Sequence, residues 1–281
     1  MSHEITDTDT LTLAGKGAWH GIGNVLDAQF STKEALGAGG MDWEVKRTQL
    51  VTQDTHQLVE RFANIRQDTG EVLGTVGPNY RILQNAELAQ YVQGTLGEDA
   101  KLDSAGSLRG GADVFFLAAL PPFDVTRGDR VNPYALFSNA HDGSRSFRVM
   151  PTSVRVVCAN TLNAALGAAG GINIRHTASM LDTIDSAQEA LGAAIQSGSV
   201  LQLQAKELAQ REMSAAELQS FFVAVYQRAY GVIPINPQDA QEERKVRRAA
   251  SLVGDWSVLF EQPQNRIGGT HLWGALNSVP E

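Results

Sequence analysis

The sequence is poor in the residues that declare a chemistry most directly. One cysteine, Cys158, stands among 281 residues, which excludes an internal disulfide and any zinc site built from several thiolates, and suits a reducing compartment. The six histidines, at positions 3, 20, 56, 141, 176 and 271, include no pair at the His-x-x-x-His or His-x-His spacing that sets two imidazoles on one ion, so no metal is expected. No Gly-x-x-x-x-Gly-Lys-Ser/Thr loop occurs, which argues against ATP hydrolysis of that kind. Trp19-His-Gly-Ile-Gly-Asn24 holds a Gly-x-Gly. Without a preceding strand, a third glycine or a partnering acid it reads as a glycine turn rather than a dinucleotide site, and no cofactor is expected. Long apolar runs are missing too: Val114–Leu120 falls far short of the roughly 20 residues that span a bilayer. The polar start Met1-Ser-His-Glu-Ile-Thr-Asp7 has neither the basic nor the apolar part of a secretory leader, so the chain reads as cytoplasmic, with no membrane partner.

Positive charge is scarce overall and concentrated locally. Lys and Arg number 23 against 31 Asp and Glu, a net charge of −8, which argues against a protein that coats nucleic acid with its whole surface. Between His141 and His176, however, Arg145, Arg148, Arg155 and Arg175 are opposed only by Asp142, whereas twelve acidic and eight basic side chains follow residue 176. Such an asymmetry permits one basic face on an acidic protein.

Residues 1–18 are rich in Thr and Asp without periodicity and are expected to be loose, with structure starting near Trp19. Ser31-Thr-Lys-Glu34 is a capping box for a short helix that Gly37, Gly39 and Gly40 would stop. From Trp43 to Val76 apolar and polar residues alternate around the turn Asp68-Thr-Gly70, the signal of an antiparallel meander. A helix from Asn85 to Leu96, closed by Gly97, leads to strands at Leu102–Leu108, Ala112–Leu120 and Tyr134–Ser138. Past the Asp142-Gly143 turn, strands are expected at Arg145–Met150 and Val154–Val157, then a short helix from Asn160 or Thr161 to Gly167. Beyond Thr177 the period becomes helical, in Met180–Leu208, after a second capping box at Ser214-Ala-Ala-Glu217, and over Asp239–Phe260. This predicts an α+β protein: a flexible N-terminus (1–18), an antiparallel β-rich core (19–176) and a helical region (177–281) packed on it.

Three functional readings follow. In the first, Arg145, Arg148 and Arg155 contact phosphates, Lys46, Arg47 and Arg109 extend the track, and Tyr134 and Phe147 stack on the bases of a single strand. Residues 145 and 148 would face opposite sides of one unbroken strand, so a break or a sheet edge must align them. The plainer alternative leaves these arginines solvated or paired with acids. In the second, His141, Asp142, Cys158 and Asn160 form the pocket of a hydrolase or nucleotide-processing enzyme, with the imidazole as base and the thiol as nucleophile. Its plainer counterparts are an Asp-Gly turn, a packed cysteine and a helix cap. In the third, the acidic helical half binds a host protein, as an inhibitor of a defence or replication factor would.

Val76-Gly-Pro-Asn-Tyr-Arg-Ile-Leu-Gln-Asn85, Ser104-Ala-Gly-Ser-Leu-Arg-Gly-Gly111, Ser138-Asn-Ala-His-Asp-Gly-Ser144, Val154-Arg-Val-Val-Cys-Ala-Asn-Thr-Leu162 and Gly269-Thr-His-Leu-Trp-Gly-Ala-Leu-Asn277 follow one another in this order. In these motifs the sequence resembles, from about Trp19 to Asn277, the phage/plasmid-like protein family, a domain of unknown function carried by phages, prophages and plasmids. The resemblance implies a mobile-element setting and a cytoplasmic location, and it assigns no catalytic residue. Members often run on past Leu276-Asn277 into further aromatic and charged residues, whereas this sequence stops at Glu281, as a shortened form or a short variant would. A β-rich part followed by helices is also broadly similar to the single-strand annealing proteins, whose rings or filaments hold DNA in a basic groove. The leading expectation is therefore a homo-oligomer that binds single-stranded DNA and anneals or protects it, with avidity compensating for modest charge.

Overall fold

The computed structural model describes residues 5–167, 171–196, 199–267 and 269–279. Strands crowd the first half of the chain and helices the second, the α+β architecture that the periodicity predicts. The chain divides into two compact units, Met1–Pro121 with Asn132–Gly198, and Pro122–Val131 with Ser199–Glu281.

The first unit opens with β1 (Thr10–Ala14), β2 (Asn24–Leu26), α1 (Thr32–Leu36), β3 (Val45–Val51), β4 (Leu58–Arg66), β5 (Val72–Val76), α2 (Asn85–Leu96), β6 (Leu102–Leu108) and β7 (Asp113–Ala119). A short ribbon of the second unit follows, β8 (Phe123–Asp124) and β9 (Arg130–Val131). The first unit then resumes with β10 (Tyr134–Ala140), β11 (Phe147–Thr152), α3 (Ala159–Gly167), β12 (Ile172–Ile174) and α4 (Met180–Gln196). The remainder of the second unit is helical: α5 (Ser199–Gln210), α6 (Ala215–Tyr230), α7 (Ala240–Phe260) and α8 (Leu272–Asn277).

Seven strands of the first unit form one sheet in the order β12-β11-β10-β7-β6-β1-β2, antiparallel except where β1 meets β2. The apolar run of β7 lies at its centre, covered on both faces. Alternate side chains of that strand serve two cores. Val114, Phe116 and Ala118 join Leu88 and Val92 of α2 and Met180 and Ile184 of α4, while Phe115 and Leu117 join Leu162 and Ala165 of α3 on the other face. The meander expected over 43–76 is the separate sheet β3-β4-β5. Its strand β5 lies close against the turn after β10: a Cβ on Gly74 would come within 2.6 Å of the Asp142 Cα, so only glycine fits.

Four expectations need correction. Residues 1–18 are not loose throughout, because Thr10–Ala14 is β1, paired with β6, and Leu11 and Leu13 fill the core beneath α3. A two-residue period of Leu was masked there by threonine. Val154–Val157 is not a strand: Val156 and Val157 are buried, but side chains hold this segment, Ser104 Oγ donating to the Val156 carbonyl at 2.7 Å. The boundary expected at residue 177 also moves, since α4 belongs to the first unit and Pro122–Val131 to the second. The helix expected over Met180–Leu208 is described as α4 and α5, with residues 197–198 outside the described residues.

In the second unit, Phe222 and Tyr226 of α6 pack with Val253, Trp256 and Phe260 of α7. Asp239 caps α7, its Oδ1 accepting from the main-chain N–H of Gln241 and Glu242 at 2.8 Å each. Trp273 Nε1 of α8 donates to Asp129 at 2.7 Å and ties the β8–β9 ribbon to this unit. Among the described residues no helix is long and apolar enough to cross a membrane.

Candidate nucleic-acid interface

The arginines singled out by the sequence are largely engaged within the first unit. Arg155 Nε donates to Asp103 at 2.5 Å, and its two Nη atoms donate to the carbonyls of Lys16 and Ala14 at 2.7 Å, stapling the end of β1. Asp113, buried at the start of β7, accepts from Arg109 Nε at 2.5 Å on one oxygen and from Arg145 on the other. Arg109 also reaches Asp142 at 3.2 Å, and the hydrogen bond to Asp113 leads the effects that raise its pKa. Arg148 Nη1 donates to the Leu166 carbonyl near the end of α3, a group the helix itself leaves without a partner. Arg47 lies 4.5 Å over the ring of Phe62 and donates to the carbonyls of Pro78 and Tyr80 at 2.9 Å. Lys46 is exposed. Tyr134 and Phe147 are buried in the two cores on opposite faces of the sheet, so neither ring offers a face to a base. The strand-parity difficulty dissolves, because Arg145 sits in the turn before β11, and the two side chains border one pocket.

The residues of the enzyme reading do not converge. His141 is fully buried at the end of β10, where its Nε2 donates to Asn85 Oδ1 at 3.0 Å and the ring of Trp43 meets it edge-on at 5.5 Å. Burial, reinforced by the nearby His176, depresses its pKa to about 3, so it is neutral at ordinary pH. His176 is lowered by burial as well; its Nδ1 donates to the Arg81 carbonyl at 2.9 Å and its ring stacks on Tyr80 at 4.5 Å. Asp142 makes the turn, its Oδ1 accepting from Ser144 N at 2.8 Å. Cys158 is buried in the core beneath α3, where the Thr161 hydroxyl accepts from its N–H at 3.0 Å, and Asn160 is exposed. Base, carboxylate and thiol thus serve separate packing roles, and no hydrolytic pocket forms from them. Among the described residues no three His, Cys, Asp or Glu side chains gather as a metal site requires.

Exposed cations stand elsewhere, on α7. Ala249, Val253, Trp256 and Phe260 recur at helical spacing and turn inward, leaving Arg244, Lys245, Arg247 and Arg248 exposed. Arg247 pairs with Glu243 at 3.5 Å, both side chains more than half exposed. Among the described residues Arg244, Lys245 and Arg248 have no ion-pair partner. The Arg248 guanidinium lies 4.9 Å over the ring of Tyr230, the last residue of α6, which is 52% exposed. Arg228, in the last turn of α6, is exposed as well, and the chain runs on through exposed Val232 and Ile235. Total charge hid this surface, because the helical half is acidic as a whole. The signal was the run Arg244-Lys-Val-Arg-Arg248, four cations in five residues.

The protein is thus an α+β chain of two units that carries an exposed cationic helix face and inwardly engaged arginines on its sheet. Residues 72–281, the greater part of the chain, match the model of a family described as a domain of unknown function, DUF932, and the chain belongs to that family. No curated protein and no solved structure matches it.

Proposed function

We propose that this protein binds nucleic acid, single-stranded DNA foremost, through the solvent face of α7 and the adjoining end of α6. The observation that carries this reading is the cluster Arg244, Lys245, Arg247 and Arg248 with Arg248 over the half-exposed ring of Tyr230. Affinity for a long nucleic-acid backbone comes from cations that exchange condensed counterions along its length, which exposed arginines do well and arginines turned inward on the sheet do poorly. A guanidinium-backed aromatic ring is the usual platform on which an unpaired base stacks. One such face per subunit is modest in an acidic chain, so the reading includes a homo-oligomer that repeats the face along one strand. A phage or plasmid setting, with annealing or protection of single strands as the task, accords with the motif resemblance.

Fluorescence anisotropy of a labelled oligonucleotide, titrated with the purified protein at low and moderate salt while its solution mass is recorded, tests the reading. Binding that weakens steeply with salt, by an oligomer, supports it; no binding at low salt overturns it.

A further inference from the structure

The first unit contains a polar pocket that the α7 face leaves unexplained. It measures about 200 Å³ and is lined by Ser138, Arg145, Ser146, Arg148, Leu166 and Asn173. The strand register builds it: Ser138 of β10 lies opposite Arg148 of β11, which lies opposite Asn173 of β12, so three polar side chains form one row across three strands. On the same face, two residues further along, Leu136 and Met150 belong to the apolar core beneath α3. The sheet therefore turns from apolar to polar near the end of that helix, and the pocket opens there.

Its groups share a chemistry. Arg145 is oriented by Asp113 and by Asn163 Oδ1 at 3.3 Å, and a guanidinium carries five N–H donors, so it keeps donors for a further acceptor. Arg148 is held against the Leu166 carbonyl. Ser138 is only 4% exposed, lines the pocket, and among the described residues its hydroxyl makes no hydrogen bond to protein, so it is available to a group in the pocket. The side chains of Ser146 and Asn173 likewise make no hydrogen bond among the described residues. Among the described residues the lining offers two cations and neutral donors, no carboxylate, and one apolar wall, Leu166. A volume near 200 Å³ equals several water molecules at roughly 30 Å³ each, and falls below the range of about 300–1,000 Å³ usual for drug-sized organic ligands.

We infer that this pocket binds a phosphate group, either as inorganic phosphate or as the phosphate of a small monoester, with Arg145 and Arg148 supplying charge and Ser138, Ser146 and Asn173 supplying orientation. Prior fixing of both guanidinium groups favours a compact oxyanion over a long flexible polyanion. The pocket is built from residues of the first unit, and the inference does not rest on the α7 face.

The test is calorimetric titration of the full chain with inorganic phosphate, and in a second arm with glycerol phosphate, against chloride at matched ionic strength. Saturable binding is expected. Asn173→Asp, an exposed and nearly isosteric change that adds a negative charge, should weaken it at least about tenfold, the worth of one unfavourable charge contact near 1.4 kcal/mol, while leaving the melting temperature without phosphate unchanged. Ser138→Ala should weaken it less. Tighter binding of the monoester identifies an organic phosphate as the ligand, and equal or weaker binding identifies the free ion. No saturable heat with either probe up to about 10 mM, already a very weak site, or an affinity that Asn173→Asp leaves untouched, overturns the inference. Alanine replacements on α7 should leave phosphate binding intact, which keeps this result independent of the nucleic-acid reading.

Discussion

In the first unit an arginine such as Arg155 gives its donors to Asp103 and two main-chain carbonyls, whereas in the second Arg244 stands on a solvent face with no ion-pair partner among the described residues. The two were of equal standing as letters in a sequence, and the sheet arginines drew more attention because so little acid lies near them along the chain. Three dimensions reverse the ranking. Asp103 and Asp113 are remote in sequence from Arg155 and Arg145, yet the antiparallel sheet brings them together. Local charge in sequence therefore reported ion pairs in the first unit and a free surface in the second. A partly buried pair fixes structure at little net gain, and its loss is costly; an exposed cation contributes little to stability and remains available to a partner.

The largest expected effect falls on the first unit in acid. Burial lowers the folded-state pKa of His141 to about 3, with Asp142 pulling weakly the other way, and His176 is shifted in the same downward direction. The unfolded chain therefore takes up these protons first, near pH 6.5, so stability is complete above that pH and declines as pH falls toward 3. A proton held by the unfolded chain and not by the folded one sets a slope of roughly 1 kcal/mol per pH unit. Urea midpoints measured between pH 7 and 4 should fall accordingly, and His141→Gln should flatten the profile whatever it does at pH 7. Next comes Asp113→Ala, which strands Arg109 and Arg145; because both retain some solvent access, about 2–3 kcal/mol is expected in urea unfolding rather than the full cost of a deeply buried pair. Smaller still, Tyr230→Ala should weaken binding of a single strand by about 1 kcal/mol through loss of stacking, with Tyr230→Phe close to wild type in anisotropy titrations. Smallest is Arg244→Ala, which should change the unfolding free energy by less than about 0.5 kcal/mol. An equal stability cost for Asp113→Ala and Arg244→Ala would erase the distinction between the two sets of arginines.

Much of the architecture was legible because it rests on local patterns. The capping boxes at Ser31 and Ser214, the apolar run of β7, the Asp68-Thr-Gly70 turn and the amphipathic face of α7 each declare themselves within a few residues. What failed depended on distant partners. Strand β1 was hidden because Leu11 and Leu13 are its only large apolar residues and its place is set by β6, nearly a hundred positions on. Phe147 looked available for stacking because the sequence cannot say that Tyr91 and the α2 core cover it. The candidate site was read in part: Arg145 and Arg148 do come together, but over a pocket rather than an open groove, and the cationic run on α7 was averaged away in a count of acids and bases.

The most direct test of the account compares the salt dependence of single-stranded DNA binding in three forms: the wild type, a variant with Arg244, Lys245, Arg247 and Arg248 all replaced by Ala, and Arg155→Ala. The α7 variant should bind more weakly, with the slope of log affinity against log salt reduced by about 0.7 for each phosphate that is no longer neutralised, while Arg155→Ala, whatever its stability, keeps the wild-type slope in the folded protein. A slope that survives removal of the α7 cations, or one that collapses with Arg155, would contradict the assignment of the interface to the helical unit.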